Sequence, residues 1–325
     1  MKTQSNKVLA SFYLLRSHVK TILFYSLLMI LVYFLFEVGG GEARHRLIQG
    51  VWNLGHLALF MLLCIAYLNT DPFNNRSLFF MVSIITIASL ILGVTTEAIQ
   101  LLVKREFSIH DIVNDVLGAY LGLLIHIIRN KTKTPFSRIG AGIIALFFLT
   151  IGFRDLGAIV IDEVAIYDDF PVLASFETDA ETKRWEFENV FTARNQKFSV
   201  SGSYSLKVKY LPGMYSSISL VQMKSDWRDH EQLSLSIFSI NQQNLQFEIK
   251  VHDKYHTHRQ QGYDDRFNKN ITLEHGWNFI NIPISDIAVS PKGRLMDMSN
   301  INKISLFTHK IAQPTILYID DIRLR

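Results

Sequence analysis

The chain has 325 residues, of which 49% are hydrophobic and only 19% charged. At about 150 residues per domain this suggests two domains. The sparse charge excludes a disordered chain and sets it apart from ordinary soluble enzymes, which carry roughly 25% charged residues. A single cysteine, Cys64 in an apolar run, excludes an internal disulfide framework and any multi-cysteine metal site, and reads as a buried, inert thiol. The formal net charge of +4 would point to nucleic acid only if the basic residues formed one exposed stripe. They are scattered in a way that topology explains, so no nucleic-acid partner is expected.

Long apolar stretches fill the first half. Thr21–Phe36 and Ser77–Thr96 contain no charged residue, and Val51–Thr70 is interrupted only by His56. A bilayer-spanning helix needs about 20 mostly apolar residues, so these three read as spans. Val116–Ile128 reaches spanning length if its helix starts near Asp111, and Ile139–Phe153 is a shorter fifth stretch. The expectation is an all-α transmembrane bundle of about five spans over residues 1–158.

Lys2, Lys7, Arg16 and Lys20 precede the first span, and Arg129, Lys131, Lys133 and Arg138 follow the fourth. With five alternating helices both groups fall on one side, and the positive-inside rule makes that side cytoplasmic. Everything after the fifth span then lies outside. The long basic leader and long apolar core favour a retained anchor over a cleaved signal peptide. Ile159–Pro171, with its run of acids, reads as the linker of residues 159–171.

Within the spans, ionisable groups are costly and start as functional candidates. Glu97 and Gln100, three apart, share a helix face. Ser108 lies three before Asp111 and can cap the next helix, where acids also complement the dipole. Asp111, Asp115, Gly118 and Gly122 follow at helical steps, and the two glycines form a small-xxx-small pair suited to close helix approach. His56 reads either as a neutral hydrogen-bonded core histidine or as part of a site, and Asp111 and Asp115 as first-turn acids or as chemistry.

TEAIQ, then KREFSIHD and NDVLGAYLG, with the upstream histidine helix, together resemble the VanZ-like membrane family. Glu97, Gln100, Arg105, Ser108, Asp111, Gly118 and Gly122 match its pattern position by position, and His56 matches the earlier helix. Asp115 stands where the family usually has Asn. The resemblance covers roughly residues 19–128 and implies a bacterial inner-membrane bundle. It brings a cell-envelope context and membrane lipid as a partner, and no reaction. The polar group of His56, Glu97, Gln100, Arg105, Ser108, Asp111 and Asp115 is therefore a candidate for headgroup binding, for acid–base chemistry or for polar packing. No nucleophile elbow, HExxH or phosphate-cradling glycine loop accompanies it, so no catalytic residue is assigned.

Beyond residue 171 the pattern turns to short alternating runs: Ser205–Tyr210, Leu233–Ile240, Leu245–Val251, Trp277–Ile282, Lys303–Phe307 and Ile316–Ile319. Alternation with β-branched and aromatic residues between turn residues predicts an all-β sandwich over 172–325. Phe176–Glu177, Trp185, Gly202–Ser205–Leu206, Trp227, Gly276–Trp277 and Asp320–Asp321 resemble the galactose-binding-like jelly rolls used as carbohydrate-binding modules. The resemblance implies a glycan ligand and a structural calcium, held by Glu177 and Asp320 at the first and last strands. Aromatic faces stack on sugars while polar groups bind hydroxyls, which makes Tyr215, Tyr255, Arg259, Tyr263 and Asp264, in loop-like segments, the candidate glycan-binding residues. Trp185, Trp227 and Trp277 read as core. His252, His256 and His258 read as a solvated loop, without the further ligands of a zinc site.

The expected function is an inner-membrane protein displaying a carbohydrate-binding sandwich outside, to bind or handle envelope or extracellular polysaccharide. Two readings stand beside it: a membrane enzyme acting on a lipid-linked glycan, and a structural anchor whose sandwich recruits a protein partner.

Overall fold

A computed structural model describes residues 46–69, 76–102, 107–130, 134–258 and 262–325, with a few helical residues between 25 and 33. The chain divides into two compact units, Met1–Ile159 and Val160–Arg325.

The first unit is helical. Its described helices are α1 (Arg46–Leu68), α2 (Leu78–Leu102), α3 (Ile109–Asn130) and α4 (Pro135–Asp168), within which the division falls. All four are long and apolar enough to cross a membrane. The expected span at 21–36 lies largely outside the described residues. Many large apolar side chains face outward, among them Phe79, Leu102 and Phe136, each more than 80% exposed. A water-soluble monomer rarely shows such continuous apolar surface.

Small residues set the helix spacing. A Cβ on Gly118 would lie 2.2 Å from the Leu57 carbonyl oxygen, and one on Gly122 would lie 2.6 Å from that of Met61, so α3 rides directly on the backbone of α1. Between α2 and α3, Thr86 Oγ1 and Tyr120 OH share a hydrogen bond of 2.7 Å. The α3 N-terminus forms as the sequence predicts, with the Asp111 amide donating to Ser108 Oγ at 3.2 Å.

Residues 159–168, expected as part of a linker, continue α4 instead. The acids Asp162 and Glu163 interrupt the hydropathy but not the helix; the chain leaves it only just before Pro171.

The second unit is a sandwich of two antiparallel sheets, as expected. Its elements are β1 (Val172–Ala174), the short helix α5 (Asp179–Thr182), β2 (Trp185–Glu188), β3 (Val190–Asn195), β4 (Ser205–Tyr210), β5 (Gly213–Leu220), β6 (Gln232–Ser239), β7 (Leu245–Asp253), α6 (Lys254–Thr257), β8 (Phe267–Leu273), β9 (Gly276–Pro283), α7 (Ile284–Ala288), β10 (Ile301–Ile311) and β11 (Thr315–Leu324). One sheet runs β3-β4-β11-β6-β9 with β1 on β11, and the other runs β2-β5-β10-β7-β8. Alternate residues turn inward: Leu206, Val208 and Tyr210 from β4, Ile218 and Leu220 from β5, Ile249 and Val251 from β7, Ile304 and Leu306 from β10. Trp185 and Trp227 join this core. Trp277 does not, because Ile280 and Ile282 take the inward parity of β9; it packs outside, edge-on to Phe238 and stacked with Phe279.

Within the second unit, Asp162 and Arg184 form a buried bidentate pair. The Arg184 Nε–H and Nη2–H groups donate to the Asp162 carboxylate at 2.8–3.1 Å.

Candidate functional site

The inward parity of the second sheet fixes what its other face carries. Ser217 and Ser219 of β5, Lys303, Ser305 and Phe307 of β10, and Lys250 of β7 alternate with core residues and so point away from the core. Register aligns them in rows: Glu186, Ser219, Ser305, Lys250 and Asn268 lie across the sheet in one, and Glu188, Ser217, Phe307, Glu248 and Asn270 in the next. Of these, Glu186, Glu188, Ser217, Ser219, Lys250, Lys303, Ser305 and Phe307, together with Phe187, Tyr215 and Arg266, line an open cleft of about 480 Å³.

Its polar groups are held in place by one another. Lys303 Nζ pairs with Glu186 at 2.7 Å, Ser219 Oγ donates to Ser305 Oγ at 2.8 Å, and Ser217 Oγ donates to Glu188 at 3.4 Å. Burial, helped by the nearby Arg266 and Lys303 charges, pushes the Lys250 ammonium down to about 8, against the pull of Glu248 and Glu188. One Glu248 carboxylate oxygen is buried with no hydrogen-bond partner. The cleft thus combines aromatic surface and hydroxyls with two carboxylates and three cations. That mixture suits an uncharged, hydroxyl-rich ligand with apolar C–H faces.

Of the residues expected to bind glycan, Tyr215 alone lines this cleft. Tyr255 and Tyr263 are exposed but each carries a guanidinium over its ring, Arg294 at 4.7 Å and Arg266 at 5.2 Å. Asp264 pairs with Lys292 at 3.0 Å, and Arg259 lies outside the described residues. Lys250, Arg266, Lys303, Glu186, Glu188 and Phe307 were missed. Their signal is an alternation of polar and core residues along strands, legible only once the pairing of distant strands is known, as of β5 with β10, where Ser219 and Ser305 are 86 residues apart.

The two expected calcium ligands serve the backbone instead. Glu177 Oε1 accepts the Ser203 and Tyr204 amides at 2.9 and 2.8 Å, and a Cβ on Gly202, whose φ is +68°, would fall 2.4 Å from the same oxygen. Asp320 Oδ2 accepts the Val200 and Ser201 amides at 2.6 and 3.0 Å, while Oδ1 accepts that of Asp321 at 2.7 Å. N–H dipoles aimed at these oxygens repel a cation, so Glu177 and Asp320 as placed do not fit a calcium ion; they fasten the loop before β4. The histidines of HDKYHTH, expected in a solvated loop, are instead in β7 and at α6, with His252 and His256 buried. His256 Nδ1 faces Asp265, whose carboxylate, with that of Asp253, is gripped by Arg294. His252 is buried against the Asp253 carbonyl and pushed down to about 3 by that burial.

In the first unit His56, Glu97, Ser108, Asp111 and Asp115 of the expected polar group come together. His56 Nδ1 lies 2.9 Å from Asp115 Oδ1, and its Nε2 lies 3.9 Å from Asp111 Oδ2. Glu97 Oε2 accepts the Ser108 amide at 2.7 Å, which ties the end of α2 to the start of α3. Asp115 packs against Gly93, where a Cβ would meet its carboxylate at 2.8 Å. Gln100 is buried one turn beyond Glu97, and Arg105 lies outside the described residues.

The second unit is thus a two-sheet antiparallel sandwich with a polar, aromatic-bearing cleft on one sheet face. Residues 166–325 match the family model for carbohydrate binding domain 30. Among solved structures, the chain is similar to an exo-β-agarase at 21% identity, with 47% of this chain and 24% of that one aligned and a TM-score of 0.39. It is also similar to the family 11 carbohydrate-binding module from Clostridium thermocellum in complex with a β-1,3-1,4-mixed-linked tetrasaccharide, at 19% identity over 47% of this chain and 93% of the module, with a TM-score of 0.37. A third, a carbohydrate-binding module specific for non-crystalline cellulose, shares 10% identity over 48% and 94% of the two chains, with a TM-score of 0.36. The aligned part spans about a quarter of the agarase. No curated protein matches.

Proposed function

We propose that this protein is a membrane-anchored polysaccharide-binding protein of the bacterial cell envelope. The observation that carries the reading is the cleft on the β2-β5-β10-β7-β8 sheet, within the stretch that matches a carbohydrate-binding family. Phe307 and Tyr215 offer faces for the C–H side of sugar rings, and the serines, carboxylates and cations between them offer hydrogen bonds to hydroxyls. An open cleft floored by a sheet takes the interior of a chain as readily as its end, which suits an extended β-linked glucan.

The four apolar helices support membrane anchorage. The string from TEAIQ to NDVLGAYLG supports a VanZ-like bundle, and the distribution of Lys and Arg supports a cytoplasmic N-terminus with the sandwich outside the inner membrane.

Isothermal titration of the full chain in detergent micelles against mixed-linkage β-glucan, xylan and agarose oligosaccharides, with and without calcium, tests the reading. Micromolar to millimolar binding to at least one is expected. Phe307→Ala and Tyr215→Ala should each weaken it about tenfold or more, since an aromatic stacking anchor is worth about 1–3 kcal/mol. Tyr255→Ala and Tyr263→Ala should leave it unchanged. A folded protein that binds none of these, or binding that follows Tyr255 and Tyr263, would move the function away from this cleft.

A further inference from the structure

Buried polar atoms are left unsatisfied in one cluster among the described residues of the first unit. Among the described residues of that unit, the buried side-chain atoms without a hydrogen-bond partner are His56 Nε2, Glu97 Oε1, Asp111 Oδ1 and Asp115 Oδ2. His56, Glu97 and Asp115 are fully buried, and Asp111 is 4% exposed. Unpaired polar atoms are rare in a packed interior, and four in one cluster demand an account.

The imidazole supplies a direction. Asp115, as a carboxylate, can only accept from His56 Nδ1, so Nδ1 carries the proton and Nε2 presents its lone pair on the opposite side of the ring. Asp111 Oδ2 lies 3.9 Å from that Nε2, and one ligand atom each from His56, Glu97 and Asp111 lie within 4.8 Å of one another. Glu97 uses its Oε2 on the Ser108 amide, which fixes the carboxylate and leaves Oε1 free. Three acceptors converge and none can donate to another while both acids are ionised. What completes such a group is a positive charge about 2.1 Å from each donor, toward which the three side chains would have to draw in.

We propose that His56, Glu97 and Asp111 bind a divalent transition-metal ion of the zinc or manganese class, with Asp115 holding the imidazole from behind. Magnesium and calcium favour all-oxygen sites, whereas one imidazole with two carboxylates suits zinc, manganese and iron. A carboxylate on the far nitrogen of a metal-bound histidine fixes the tautomer and raises the basicity of the ligand, which is the relation His56 has to Asp115. Three protein ligands leave coordination positions open, and those positions can take water or an anionic group.

The full chain in detergent micelles, stripped with a chelator, is titrated with Zn²⁺ and Mn²⁺ against a chromophoric competitor, and with Co²⁺ followed by its absorption bands. About one tight equivalent is expected in the wild type. Glu97→Gln should weaken it about 100-fold or more and Asp115→Asn about 10- to 100-fold. His258→Ala, in the other unit, should leave it unchanged. Helix content by circular dichroism guards against a collapsed bundle, and Asp115→Asn decides the matter if Glu97→Gln does not assemble, because it removes no ligand. A wild type that takes up no tight equivalent overturns the proposal. So does a tight equivalent that survives both bundle substitutions but is lost in His258→Ala.

Discussion

The two units solve the burial of polar groups in opposite ways. The sandwich hides its apolar residues and pairs two of its buried carboxylates with arginines, Asp162 with Arg184 and Asp253 with Arg294 at 2.6 Å, while its unpartnered buried atoms, such as Glu248 Oε1, lie scattered. The helical unit shows its apolar residues to the outside and gathers its carboxylates around one histidine with atoms left over. In water, an unpaired buried charge is selected against unless it does something, and a fold has many ways to avoid it. Inside a helix bundle suited to lipid, each such group costs more, so four together are a stronger sign of a bound partner than the same four would be on the sandwich.

The largest test of this contrast is the Asp162–Arg184 pair. Arg184→Met leaves the Asp162 carboxylate buried without its guanidinium and should destabilise the second unit by about 3–5 kcal/mol in denaturant unfolding followed by tryptophan fluorescence. The double change Asp162→Asn with Arg184→Met should recover most of that loss, since no charge is then stranded. If Arg184→Met costs less than about 1 kcal/mol, the sandwich does not depend on pairing its buried charges and the contrast fails.

The second test sits in the bundle, where spacing rather than charge pairing governs. Gly118→Val directs a side chain at the Leu57 carbonyl, with the first atom only 2.2 Å away. Backbone cannot give as a flexible side chain can, so the cost should reach or pass the upper end of the about 1–3 kcal/mol typical of overpacking. Gly140→Ala meets nothing within 4 Å and should be tolerated. Detergent extraction followed by size-exclusion chromatography reads both. Equal yields would mean that α1 and α3 do not need their close approach.

These two units were also unequally legible in the sequence. Helical steps place Glu97, Asp111 and Asp115 on defined faces, and an ionisable residue in an apolar run announces itself, so the polar group could be named before its geometry was known. The role of Asp115 could not: as a replacement for Asn it looked like a departure, and only the 2.9 Å contact makes it the support of His56. In the sandwich, the strand at Ser205–Tyr210 was readable to the residue, because Leu206, Val208 and Tyr210 alternate with Lys207 and Lys209. Strand β5 was not, because its serines blur the alternation, and it forms a wall of the cleft. Aromatic residues in polar loops drew attention to Tyr255 and Tyr263, while the cleft is assembled from flat sheet positions of β2, β5, β7 and β10. Glu177 and Asp320 were rightly singled out as special carboxylates, but spacing cannot say whether an amide or a cation faces them.

The smallest expected effect concerns a polar group that the sandwich leaves incompletely compensated, and so marks the limit of the contrast. Lys250 loses its proton near pH 8 in the folded protein, whereas an unfolded lysine does so near about 10.4. Between those values the unfolded chain binds more protons, so stability should rise with pH across that window and be lower by a constant amount below it. Lys250 is partly exposed, and after solvent screening the rise should amount to about 1 kcal/mol or less. Lys250→Met should flatten the difference between unfolding midpoints at pH 7.5 and pH 10, and should raise stability most at the lower pH. The sign is the informative part. If wild-type stability instead falls across the window relative to Lys250→Met, the ammonium is favourably held by Glu188 and Glu248, and the sandwich compensates its cleft as fully as its core. A rise of the expected sign would mean that the cleft keeps a cation only partly satisfied, leaving Lys250 a donor for a ligand hydroxyl to complete.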